Sequence, residues 1–256
     1  MGVFCFTIDD NIRFLKEISE QKYGSMFDHP YLAMLKRLHE RFELSIQLNL
    51  FYALDDFDLS MVSDRYADEW EDNADWLKLS FHSRIENERP YENSDYTEVF
   101  DDCNAVHKEI LRFASQRSLA KTTTIHYCRT TNEGLRALSD NGIVGLLGLF
   151  GSDEKPRTSY SLSDDLAVKL REGEVINTCE MAFASIDMIV NLVSIDKIES
   201  VLGRFLGRDS IRVMIHEQYF YEDYKAYQPN FEEKLTLAFE ILTSQNYKSC
   251  FFEDMI

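Results

Sequence analysis

Val3-Phe4-Cys5-Phe6-Thr7-Ile8-Asp9-Asp10 is a short apolar run, rich in β-branched and aromatic residues up to Thr7, that ends on two adjacent carboxylates. Such a run predicts a strand over Val3–Thr7, with the aspartates at its C-terminal end. Outward from it, comparable runs occur at Leu44–Phe51, Leu77–Phe81, Thr122–Tyr127, Ile143–Leu147, Cys179–Ile186 and Ile211–Ile215, giving seven candidate strands. Segments of helical spacing alternate with them: Asn11–Ser19, Pro30–Arg41, Leu59–Trp70, Asp95–Ser115, Glu133–Asp140, Ile195–Leu206 and Phe231–Gln245. Asp140-Asn141-Gly142 supplies a helix stop just before the fifth strand. Strand–helix alternation predicts a parallel sheet with crossover helices, and seven such units suit a closed or nearly closed barrel. Residues 151–173 are polar and break the rhythm, so they read as an inserted hairpin or loop within one α/β domain spanning 1–256.

The length of 256 residues matches what a single α/β barrel needs. A hydrophobic fraction of 45% is ample for a large core. Against 27 basic residues stand 45 acidic ones, a formal charge of -18 that repels phosphate backbones and anionic lipid; neither nucleic acid nor membrane is expected as a partner. The five cysteines are scattered and form no C-x-x-C pair, so they read as reduced thiols. With no leader-like apolar stretch at the start, the expected location is cytoplasmic.

In parallel α/β barrels the chemistry sits at the C-terminal ends of strands. Here Asp9 and Asp10 end the first strand, His82 to Glu86 follow the third, His126 to Arg129 end the fourth, and His216-Glu217 end the last, with Asp187 closing another. Asp9 and Asp10 repel each other unless a cation or separate hydrogen bonds divide their roles, and either also fits as a helix N-cap. His82 and Glu86 stand four apart, the spacing that one helical turn would align toward a divalent ion, or toward solvent as an ordinary exposed pair. His216 is suited to general acid work or to a hydrogen bond with a backbone carbonyl. Arg129 reads as a partner for a carboxylate or as a surface ion pair. His29, His39 and His107 fall in helical or turn contexts and read as surface residues, whereas Trp70 in the acidic 64–72 stretch reads as turned inward.

The ordered motifs Thr7-Ile8-Asp9-Asp10, Phe81-His82-Ser83-Arg84-Ile85-Glu86, His126-Tyr127-Cys128-Arg129 and Met214-Ile215-His216 resemble those of the polysaccharide deacetylase superfamily, and the resemblance covers nearly the whole chain. It implies a distorted (β/α)7-type barrel and a metal-dependent hydrolase of amide or ester bonds. By that resemblance Asp10, His82 and Glu86 hold a divalent metal, with zinc expected and cobalt, nickel or manganese as substitutes; Glu86 stands where the family has a second histidine. Asp9 would be the base, steadied by Arg129, and His216 the acid, with Asp187 as its orienting partner. The implied substrate is a small N-acetylated sugar or related carbohydrate. Two carboxylates and one imidazole would leave a zinc site neutral, a weaker Lewis acid than one with two histidines. Two other readings stand beside this one. The barrel has lost catalysis and binds a carbohydrate or protein partner, or it is a sugar lyase or other non-hydrolytic enzyme.

Overall fold

The computed structural model describes residues 2–86, 91–151, 157 and 159–256. All seven expected strands are present: β1 Val3–Asn11, β2 Ile46–Phe51, β3 Leu77–Ser83, β4 Thr122–Thr123, β5 Gly145–Gly148, β6 Met181–Ser185 and β7 Ser210–His216. Parallel ladders join them in two arcs, β7–β1–β2–β3 and β4–β5–β6. On one side the arcs meet where Leu79 bridges Leu119. On the other, Met188–Ile189, just past β6, pairs in parallel with β7. The result is an α/β fold of the distorted (β/α)7 type.

β1 shows why these strands read as continuous apolar runs: a strand inside a parallel barrel is covered on both faces. Phe4 and Phe6 face outward and pack on Phe239 of the C-terminal helix Phe231–Ser244, with ring centroids 5.9 and 4.9 Å apart. Cys5 faces the barrel interior, where it clusters with Leu147, Ala184, Met214 and Phe252. Each fully buried phenylalanine contributes roughly 1.5–3 kcal/mol. Asp9, on the same side of the strand as Cys5 and Thr7, therefore emerges at the C-terminal rim of the interior.

Several boundaries differ from those expected. The fourth strand is only two residues long, because the chain after Thr123 turns through the 3-10 segment His126–Cys128. Leu59–Trp70 is two short 3-10 turns followed by a helix at Ala67–Asp72, and Ile195–Leu206 is a 3-10 turn at Ile195–Lys197 followed by an α-helix at Ile198–Leu202. The 151–173 insertion lies partly outside the described residues, and its later part is not a loop but a helix, Asp164–Arg171, capped by Ser163. An antiparallel strand, Ile176–Thr178, then pairs with β6. Trp70 is buried as expected, but so are His29, which accepts a hydrogen bond from the Tyr31 N–H, and His107, which lies beside Cys103. Among the described residues no helix is long and apolar enough to cross a membrane.

Candidate metal centre

The adjacent carboxylates of Asp9 and Asp10 would normally point to opposite faces of a strand. They do not, because the pairing of β1 with β2 slips between Ile8 and Asn11, and Asp10 takes the left-handed conformation with φ 63°. A bulge of this kind re-aims one side chain, and aspartate is among the residues that tolerate that region. Asn11 braces the turn: its amide donates to the backbone carbonyls of Ile8 and Asn49, and its carbonyl accepts from the Tyr31 hydroxyl. Neither aspartate caps the following helix, Arg13–Glu20. That task falls to buried Glu217, whose carboxylate accepts from the N–H groups of Ile12, Arg13 and Phe14 at 2.7, 3.1 and 2.8 Å. Glu217 thus ties the end of β7 to the end of β1 and leaves Asp9 and Asp10 to face the rim.

Three ligand-type atoms converge there. Asp10 Oδ1 lies 3.0 Å from His82 Nε2 and 3.3 Å from His126 Nδ1, and the two ring nitrogens are 3.0 Å apart. All three residues are buried. Tetrahedral ligands at zinc-like bond lengths of about 2.0–2.1 Å are roughly 3.3 Å from one another, so this triangle has the dimensions of one face of such a site. His82 donates its Nδ1–H to the Thr124 carbonyl, so that the ring in its neutral form would present a bare Nε2 to the cluster, the outer-shell arrangement that metal-binding histidines commonly have. Gln218 Nε2 donates to the second oxygen of Asp10 at 2.6 Å. The His126 Nε2 atom is buried without a partner among the described residues. The donor set therefore fits a divalent ion of the borderline-soft kind.

The electrostatics divide the two aspartates. Burial pushes the Asp10 carboxyl upward, but hydrogen bonds from His126 and His82 outweigh it and hold the group well below its usual range. Burial pushes Asp9 up, and there the attraction of His82 and His216 and the hydrogen bond from Asn49 do not compensate. His82 is raised: burial acts downward, and the nearby charges of Asp9 and Asp10 prevail. Adjacent carboxylates thus have opposite characters, one a committed anion and one readier to take a proton.

His126 reaches the cluster because the chain after β4 is sharply folded. Tyr127 and Cys128 both have positive φ, 58° and 54°. The Tyr160 hydroxyl accepts from the Ile125 N–H at 3.2 Å, and the Tyr160 N–H donates to the Cys128 carbonyl, pinning this turn. Phe51 packs edge-on against the His126 ring at 5.0 Å.

Of the other expected site residues, His216 is placed beside Asp9, its register partner across β1 and β7. Glu86 is not brought to the cluster. β3 ends at Ser83 and residues 84–86 are not helical, so the four-residue spacing aligns nothing, and Glu86 is exposed. Arg129 pairs with Glu92 at 3.7 Å, while Asp9 Oδ1 accepts from Asn49 Nδ2 at 2.7 Å. Asp187 is held by Arg208 and Arg212 in the lower barrel, and the partner of His216 Nδ1 is Asn191 Oδ1, 3.0 Å away.

A cleft of about 430 Å³ opens at this rim, lined among others by Arg13, Leu54, Glu86, Gln218 and Tyr224. That volume is within the roughly 300–1,000 Å³ of small-molecule sites. A larger cavity, about 700 Å³, lies at the opposite ends of the strands beside Lys121, Val144 and Glu253. Barrel topology favours the smaller, rim-side cleft; the cluster residues do not line it, and Gln218, which donates to Asp10, connects the two.

No family model matches the sequence, and no curated protein is similar enough in sequence to match it. Solved structures do match in fold. A family 4 acetyl xylan esterase from Clostridium thermocellum, determined in complex with cobalt, superposes with a TM-score of 0.55 at 10% identity, over 99% of this chain and 90% of that one. A putative cellobiose-phosphate cleavage protein from Enterococcus faecalis gives 0.54 at 12% identity over 100% and 99%. A 4-alpha-glucanotransferase from Thermococcus litoralis gives 0.61 at 14% identity, with 99% of this chain covering 40% of that larger one. At 10–14% identity these likenesses show the fold alone, one that the chain shares along nearly its whole length with the acetyl xylan esterase.

Proposed function

We propose that this protein is a metal-dependent hydrolase that removes an acetyl group from a small carbohydrate. The observation that carries the reading is the triangle of Asp10, His82 and His126 atoms 3.0–3.3 Å apart, with Asp9 and His216 beside it. Asp10, His82 and His126 are the residues that would hold the ion, which when bound supplies Lewis-acid polarisation of the acyl oxygen and a lowered pKa for water. One carboxylate and two imidazoles leave such a site with a net positive charge, so the weaker Lewis acidity expected of a two-carboxylate set does not apply. Zinc suits these donors, and cobalt, nickel or manganese are the substitutes to test.

The remaining steps belong to the protein. Asp9, buried and pushed upward, takes a proton from the water that attacks the acyl carbon. His216, with its Nδ1 engaged by Asn191, delivers a proton through its other ring nitrogen to the departing amine or alcohol. The cleft between Arg13 and Tyr224 admits the sugar. We place the reaction in the cytoplasm, a reading supported by the free thiols of Cys5, Cys103 and Cys128.

The test is release of acetate from N- and O-acetylated mono- and oligosaccharides by protein loaded in turn with each of the four metals. The expected result is turnover abolished by a chelator and reduced roughly 10²–10⁴-fold by Asp9→Asn. Absence of acetate release from every acetylated sugar under every metal would overturn the hydrolase reading and favour a barrel that only binds.

A further inference from the structure

Two hydrogen-bond chains run through the protein, each ending on one of the two groups assigned to acid–base work. In the first, the Thr122 hydroxyl donates to Gln47 Oε1 at 2.9 Å, Gln47 Nε2 donates to Asn49 Oδ1 at 2.7 Å, and Asn49 Nδ2 donates to Asp9 Oδ1 at 2.7 Å. Its direction is fixed by the main chain, because Gln47 Nε2 also donates to the Thr122 carbonyl at 2.8 Å, an atom that only accepts. In the second, Lys234 Nζ donates to Gln228 Oε1 at 2.8 Å, and Gln228 Nε2 donates to the backbone carbonyl of Asn191 at 2.7 Å, anchoring that residue. Asn191 Oδ1 then accepts from His216 Nδ1 at 3.0 Å and from the His216 backbone N–H at 3.3 Å. That backbone N–H only donates, so the Asn191 oxygen faces His216 without ambiguity. Asn49 and Asn191 are both buried.

We propose that Asn49 and Asn191 are the positioning residues of Asp9 and His216, holding base and acid through neutral amides of opposite polarity. Asn49 presents an N–H to Asp9, and Asn191 presents an oxygen to His216. Neither Arg129 nor Asp187 takes these places, since both are engaged elsewhere. The donated N–H orients one Asp9 oxygen and leaves the other for the proton. The accepting oxygen keeps the His216 proton on Nδ1 in the neutral ring, so that Nε2 is the atom free to exchange protons with a leaving group. A neutral partner does this without adding charge beside the Asp10, His82 and His126 cluster.

The proposal rests on the hydrolase reading for its kinetic arm and stands independently of it for its spectroscopic arm. Opposite polarity predicts opposite responses to one isosteric change. Asn191→Leu lowers kcat by about 100-fold, the cost of a misdirected group, with KM changed less than about threefold. Asn191→Asp, which keeps the accepting oxygen, recovers most of that loss. Asn49→Leu lowers kcat similarly, and Asn49→Asp does not recover it, because a carboxylate cannot donate to Asp9. Rescue at both positions or at neither, or an unchanged kcat in the leucine variants, overturns the proposal. If the variants fail to fold, or if the wild type deacetylates nothing and the hydrolase reading falls, ¹⁵N NMR of the wild-type protein still decides. The expected spectrum has neutral His216 protonated on Nδ1 and the Asn49 side-chain amide protected from exchange and shifted downfield. His216 protonated on Nε2, or an Asn49 amide with free-amide shift and exchange, overturns it.

Discussion

Two clusters of charge share the interior of this barrel, and they are satisfied in different ways. The lower one lies about four residues down the strands from the rim, where Cys5 faces Arg212 across β1 and β7, roughly 13 Å below the level at which Asp9 faces His216. Fully buried Arg212 meets Asp187 at 3.1 Å and donates to the Ser185 carbonyl and the Ser210 hydroxyl, leaving only its second terminal nitrogen without a partner. Arg208 holds the other Asp187 oxygen at 2.8 Å. Nearby, Lys78 pairs with Glu253, which also accepts from the Lys121 N–H at 2.6 Å. Every charge in this cluster faces its opposite. At the rim, two aspartates and three histidines gather with no arginine or lysine contact among the described residues, and there His126 Nε2 and the Gln218 side-chain oxygen are buried unpaired. The lower cluster ties strands together; the upper one gathers ligand-type atoms at a single point.

That contrast can be broken by substitution. Asp187→Ala strands Arg212 as an uncompensated buried charge and should cost about 3–5 kcal/mol in urea unfolding, while folded protein keeps its full metal stoichiometry. A loss below about 1 kcal/mol would show that the lower cluster does not carry the stability assigned to it.

The next largest effect concerns pH. His82 is raised above its ordinary 6.5, by Asp9 and Asp10 acting against burial. A raised histidine contributes stability that is fully present below about 6.5 and lost as pH climbs through the folded value. The metal-free protein should therefore lose stability on that climb. Metal binding must displace the same proton, so affinity should rise over the same window by up to about tenfold per pH unit and level off above it. Calorimetry across pH 5.5–8.5 reads both trends; an affinity that does not change with pH would remove His82 from the ligand set.

The smallest effect sharpens the comparison from the other side. His126→Ala in the metal-free protein should cost only about 1–2 kcal/mol, because relief of the buried, unpaired Nε2 offsets part of the packing lost against Phe51 and of the hydrogen bond lost to Asp10, which keeps His82 and Gln218. A cost comparable with that of Asp187→Ala would make the rim a structural cluster like the lower one.

Much of this was legible in the residues. Asp9, Asp10, His82 and His216 stand at strand ends, and the strands announce themselves because parallel strands buried on both faces leave unbroken apolar runs. Gln47 and Asn49 alternate with Ile46, Leu48 and Leu50, a period of two that marks a polar stripe on the inner face of β2. His126 was visible at the same rim, but nothing local assigned it a role. The four-residue spacing from His82 instead pointed to Glu86 through a helical turn that does not form. The bulge at Asp10 and the doubly left-handed turn at Tyr127 and Cys128 depend on tertiary contacts from Asn11, Tyr31 and Tyr160, which no short window of sequence contains. Asn191 was hidden for the same reason, since it meets His216 only through the pairing of Met188–Ile189 with β7.

The most direct test of the central claim is metal binding by elemental analysis and calorimetry in the wild type, His126→Ala and Glu86→Ala. Near one equivalent is expected in the wild type and in Glu86→Ala. In His126→Ala the affinity should weaken beyond about 100-fold, since loss of a ligand exceeds the 10–100-fold cost of losing an outer-shell partner. Metal retained in His126→Ala and lost in Glu86→Ala would contradict that claim and restore Glu86 as the third ligand.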